Sequence, residues 1–202
     1  MRLLNPGYES ESVNNSLYWN RDSGECYYSH ISYDYHISPC DFSDTGLTSD
    51  AKGMIDDAKW YTSSAPFGLN SGEYYKEIRK KTTKDFSDVD GVTRTTNWIG
   101  KIGLIYPEDY GYANKNCYSN TDLSNYNDEE CMDSNWIFYE FIWTMIARED
   151  NANVIFYVNN EGRLYGNYTY WADRIYPTIY LKPNVRITSG DGTLENPYKL
   201  TL

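Results

Sequence analysis

The chain has 202 residues, enough for one domain with a sizeable core. A formal net charge of −11 at pH 7 excludes nucleic acid and anionic membranes as partners held by charge. The 22 Tyr and 6 Trp point to a β-rich domain with an aromatic surface, because Tyr combines apolar area with a polar tip. No apolar run approaches the ~18 residues of a transmembrane helix. Met1 to Asn5 does not read as a signal peptide, so an export or anchor segment is expected to be cleaved or omitted.

Met1 to Tyr8 reads as a short strand running into the turn Asn5-Pro6-Gly7, and Glu9 to Asp50 as a long loop with Tyr-rich strand fragments. Cys26 and Cys40 stand 14 positions apart, as do Cys117 and Cys131, in polar loop-like stretches. Four cysteines permit three pairings. The expected ones are the local bridges Cys26–Cys40 and Cys117–Cys131, each contributing about 3 kcal/mol by closing its loop. Free thiols and zinc are the alternatives, although Cys-x-x-Cys is absent and His30 and His36 are the only histidines. Disulfides imply an oxidising compartment.

Thr48-Ser49-Asp50 offers caps for a helix carrying Ala51, Met54, Ile55 and Ala58 and ending near Trp60. A second helix is expected over Ser71 to Arg79, with Ser71 as cap and Tyr74, Tyr75 and Ile78 on one face. Lys80 to Lys84 reads as its solvated basic end. Trp98 to Tyr106 reads as a strand, and Pro107 to Tyr112 as one helical turn with acidic residues at its start. The second cysteine loop carries Asp122, Asp128, Glu129, Glu130 and Asp133, which raises calcium as an alternative, but the Asp-x-Asp-x-Asp-Gly spacing is missing. Trp136 to Ile146 is core as either helix or strand.

Val154 to Val158, the turn Asn159 to Gly162 and Arg163 to Tyr170 read as antiparallel strands, followed by a strand from Ile175 to Leu181. The last hairpin has Val185-Arg186-Ile187 and Pro197 to Leu200 as arms. Its bend, Ser189-Gly190-Asp191-Gly192, reads as structural, with Asp191 and Glu195 as a cation alternative. Val154 to Leu202 is expected to form the sheet core. Residues 1–202 are one domain, with a loop-rich and helical half over 1–97 and the sheet core over 98–202. The fold class is α+β: antiparallel and β-rich, with two or three short helices and long disulfide-stapled loops.

Three phrases carry a resemblance: Trp98 to Ala113, Tyr176-Pro177-Thr178-Ile179-Tyr180-Leu181-Lys182, and Gly190 to Thr193 with Asn196-Pro197-Tyr198. They resemble a family of surface-protein domains of Gram-positive, mostly gut-dwelling bacteria, often fused to type IV pilin-like N-terminal helices. The family's C-terminal half is similar to the C-type-lectin-like fold. Trp143-Thr144-Met145, Val158 to Gly162 and Ile175 to Ile179 stand at its three motifs. Tyr176 replaces the usual Arg before Pro, and no Arg-Ser-Pro follows Trp143. The resemblance implies an extracellular, surface-displayed protein.

No Gly-x-Ser-x-Gly, His-Glu-x-x-His or phosphate-cradling glycine loop is present, and no two carboxylates stand out as an acid/base pair. The chain is expected not to be an enzyme and to need neither cofactor nor metal. The leading expectation is a structural subunit of a surface or pilus-associated homo-oligomer or filament, supported by the Tyr content. The alternative is an adhesin recognising glycan or protein through Tyr165, Asn167, Tyr168, Tyr170, Trp171 and Asp173. In that stretch aromatic rings alternate with hydrogen-bonding groups.

Overall fold

The computed structural model describes residues 24–29, 35–40, 47–80, 96–114, 121–126, 129–138, 141–168, 173–193 and 195–202. The chain is α+β, with mostly antiparallel sheets and few helices. The elements in order are β1 (Gly24–Ser29), β2 (Tyr35–Cys40), α1 (Ser49–Met54), β3 (Ala58–Tyr61), β4 (Ser64–Ala65) and α2 (Ser71–Lys80). β5 (Asn97–Gly100), β6 (Ile102–Leu104), α3 (Pro107–Tyr112), α4 (Glu129–Asp133), β7 (Ile142–Arg148), β8 (Asn151–Val158) and β9 (Leu164–Tyr168) follow. β10 (Arg174–Ile175), β11 (Pro177–Ile179), β12 (Arg186–Ser189) and β13 (Lys199–Thr201) complete the chain.

β7, β8 and β9 form the antiparallel centre. β8 follows a two-residue alternation, with Val154, Phe156 and Val158 buried and Ile155 and Tyr157 only partly covered. Asn159 sets the β8–β9 turn, its Oδ1 accepting the Glu161 and Arg163 backbone N–H groups. The other edge of β7 is closed piecewise. β10 runs parallel to its start, Met145 N–H donates to Ile105 O in the middle, and β4 runs parallel to its end. An edge that could pair with other chains is thus covered by three short segments.

α2 and α3 pack over this sheet. Tyr74 and Ile78 of α2 and Tyr110 of α3 are fully buried, and the Tyr74 ring meets Phe156 edge to face at 5.5 Å. Asn70 and Glu73 cap α2 reciprocally: Glu73 N–H donates to Asn70 Oδ1 and Asn70 N–H donates to Glu73 Oε2. Ser71, expected as the cap, instead lies buried in the first turn. Tyr75, expected beside Tyr74, is exposed because a step of one residue turns it off the buried face.

Several expected elements are redrawn by tertiary contacts. The first helix ends at Met54 rather than near Trp60, because Trp60 joins β3 opposite Trp98 and donates its indole N–H to Gly100 O. The strand expected over Trp98 to Tyr106 is two strands, β5 paired with β3 and β6 paired with β11. Trp136 is not core: it stands 81% exposed, and the strand of that apolar run begins only at Ile142. Phe141, just before it, has φ +55, a left-handed corner rare for a bulky side chain, and its carbonyl accepts Arg174 N–H. The run from Ile175 to Leu181 likewise divides between β10 and β11.

The closing hairpin β12–β13 forms where expected, with Gly190 and Gly192 at φ +90 and +86 in its bend. It does not belong to the core, since no described residue beyond Leu164 is buried. The hydrophobic centre runs from Trp60 to Leu164. β1 and β2 pair with Cys26 opposite Ser38 and Cys40 opposite Gly24. No complete disulfide lies within the described residues: Cys131 is buried and not a free thiol, and the other three cysteine side chains lie outside them. The segment Met1 to Tyr8 also lies outside, as does the basic run beyond Lys80. Among the described residues no helix is long and apolar enough to cross a membrane.

Candidate functional site

Two stretches distant in sequence meet beside the sheet. β11 pairs with β6 in the register Pro177↔Leu104 and Ile179↔Ile102. This lays Tyr176 to Tyr180 alongside the chain as it leaves β6 and enters α3. A third piece arrives through Asn135, whose side-chain amide donates to Tyr110 O while its Oδ1 accepts Ile137 N–H. Asn135 thereby fixes Trp136 and Ile137 at the end of α3. Between the three pieces lies a groove of about 620 Å³, within the usual range for ligand sites.

The floor and walls include Ile105, Ala113, Ile137, Pro177 and Ile179. Around them stand four exposed or half-exposed rings, Tyr112, Trp136, Tyr176 and Tyr180. Asp109 is the one charged side chain of the lining. Its Oδ2 accepts the Tyr106 N–H at 2.9 Å, closing the start of α3, and Oδ1 has no hydrogen-bond partner among the described residues. Burial raises the Asp109 carboxyl above the ordinary carboxylate range, against the pull of the Tyr106 N–H and the Arg79 charge. Burial, foremost, and the Asp109 charge also push up the Tyr180 hydroxyl.

An ion pair backs the groove. Arg79 Nη1 donates to Glu108 Oε1 at 2.5 Å, with Glu108 only 2% exposed. The guanidinium lies 3.7 Å from the Tyr75 ring centroid and 5.4 Å from that of Tyr106. Burial pushes the Glu108 carboxyl up more than Arg79 pulls it down, because the carboxyl is enclosed while a quarter of the Arg79 side chain meets solvent.

The residues anticipated as a binding surface lie elsewhere. Asn167 Nδ2 donates to Asp173 Oδ2 at 3.3 Å, so these two are brought together. The Tyr165 ring packs edge to face on Phe67, and Tyr168 is exposed near the end of β9. Tyr170 and Trp171 lie outside the described residues. None of the four described positions lines the groove. The usable signal was in the phrases Tyr106 to Ala113 and Tyr176 to Tyr180, already conspicuous in the sequence, which the fold brings face to face.

Among the described residues no group of three or more His, Cys, Asp or Glu could hold a metal ion. Asp122 is occupied as a cap, with Oδ1 accepting Ser124 N–H and hydroxyl. Asp191 Oδ1 accepts the Thr193 N–H and hydroxyl, and these bonds hold its carboxyl below the ordinary range. Of the other acids in the cysteine loop, Asp133 is exposed, while the side chains of Asp128, Glu129 and Glu130 lie outside the described residues. No protein-family model, no curated protein and no solved structure matches this chain.

Proposed function

We propose that the chain is an extracellular, surface or pilus-associated structural subunit that packs against copies of itself in a homopolymeric assembly. Its C-terminal half would be C-type-lectin-like, as the resemblance implies. The observation that carries the reading is the C-terminal hairpin. Register and alternation give it one apolar face, with Val185, Ile187, Tyr198, Leu200 and Leu202, and one polar face, with Arg186, Thr188, Lys199 and Thr201. On the apolar face Ile187 is 61%, Leu202 58% and Tyr198 52% exposed. A two-stranded hairpin is marginal by itself, and an apolar face left more than half exposed at these three side chains favours an interface.

Charge permits a second copy as the occupant. Arg186 and Lys199 balance Asp191 and Glu195 on the hairpin, while the chain as a whole carries −11. The mutual repulsion of two acidic molecules is therefore weakest where two such neutral hairpins meet. The test is light scattering over a wide concentration range, followed by electron microscopy of the same sample. Concentration-dependent oligomers or filaments are expected, and they should disappear in Ile187→Lys. A strict monomer at every concentration would refute the reading.

The groove favours a second reading, a recognition module for a surface ligand. Its size, ring content and single carboxylate fit that role.

A further inference from the structure

The charges around the groove do not balance. Arg79 is matched by Glu108, with which it forms the buried pair, and Asp109 is left as a negative charge facing the cavity. No Lys, Arg or His lines the groove among the described residues. Tyr112, Trp136, Tyr176 and Tyr180 also line it, and aromatic rings attract cations over their faces. An anionic ligand would meet Asp109 with no cation in the lining to hold it, on a chain of net charge −11.

We infer that the groove binds a small organic cation, and that its charged group is an alkylated ammonium rather than a primary amine. Apart from Asp109 the lining is mainly rings and apolar side chains, which match the methyl groups of an alkylated ammonium better than the strongly hydrated N–H groups of a primary one. A quaternary ammonium has no N–H, presents methyl groups to the rings and needs only the nearby negative charge. The groove of about 620 Å³ exceeds such a head group, so the ligand carries an apolar body that lies over Ile105, Ile137, Pro177 and Ile179. The occupant is a free small molecule. This inference rests on the recognition reading and is independent of the hairpin assembly.

The full chain is titrated with choline and with 3,3-dimethylbutan-1-ol, its neutral carbon isostere, following heat and tryptophan fluorescence. Choline should bind at least roughly tenfold more tightly, the scale of a cation–π and carboxylate contact. Asp109→Asn keeps an acceptor for Tyr106 N–H while removing the charge. It should weaken choline by a similar factor and leave the alcohol unchanged, and Asp109→Glu should restore part of the loss. Trp136→Ala should weaken both probes, and its folding is secure because the ring is mostly exposed. Equal affinity for the two probes, an unaffected Asp109→Asn, no choline binding, or binding only to phosphatidylcholine vesicles would each overturn the inference. Binding of neutral saccharides to the groove without choline would overturn it too, yet would leave the recognition reading standing.

Discussion

Glu108 shows how one residue records a conflict between burial and pairing. A carboxyl raised on folding takes up its proton more readily in the native chain than in the unfolded one. Its contribution to stability is therefore present below the ordinary carboxylate range and is lost as pH rises through the raised value. Burial raises Glu108 and Asp109 alike, so both act in this direction. The urea midpoint should fall between mildly acidic pH and neutrality, and the fall should be shallower in Glu108→Gln, whose amide does not titrate. Equal slopes in the two proteins would show that Glu108 does not carry the effect. Nothing in the local sequence Pro107-Glu108-Asp109 distinguishes the buried acid from its neighbour, because the difference comes from Arg79, 29 positions earlier in the chain.

At the scale of elements, local rules were obeyed wherever the partners were near in sequence. α2 was legible from its apolar spacing, though its cap is Asn70 rather than Ser71, and α3, the β8–β9 turn and the glycine bend of β12–β13 from end residues, alternation and turn chemistry. The reciprocal Asn70–Glu73 cap is such a local device. Asn70→Ala should lower unfolding free energy by about 1 kcal/mol, measured by urea denaturation, without changing the fold. No loss would mean that tertiary packing of Tyr74 and Ile78 alone holds the helix start. Where the rules failed, a distant partner intervened. Ala51 to Ala58 had helical spacing, but Trp60 paired with Trp98 across 38 positions and drew its own segment into a strand. Trp60 lies 5.2 Å from Tyr180, 6.3 Å from Tyr106 and 6.5 Å from Trp98, ring centroid to centroid, a set of contacts no helix face could supply.

At the scale of the molecule, the buried centre and the exposed C-terminal segment are distinct parts of the chain. The core lies between Trp60 and Leu164, and the hairpin rests its Leu202 beside Gly53 of α1 without joining it. A chain ending at Lys182 should keep its near-ultraviolet dichroism and lose no more than about 0.5 kcal/mol of stability, the range of surface changes. It should also lose self-association. A collapse of the fold on truncation would place the hairpin in the stabilising core after all.

The sequence by itself determined the class of the fold, most of the strands and turns, and the acidic, tyrosine-rich surface. These depend on composition, on periods of two and 3.6 residues and on turn residues, all of which act over a few neighbouring positions. It also contained both phrases that build the groove. What it did not hold was their meeting, since the β6–β11 pairing joins residues more than 70 positions apart. Nor did it show that Trp136 stands over the groove, because an apolar run looks the same whether its first ring is buried or left outside. Only the tertiary structure decided which rings fill the core and which face the solvent, because each ring's burial depends on the distant segments that reach it.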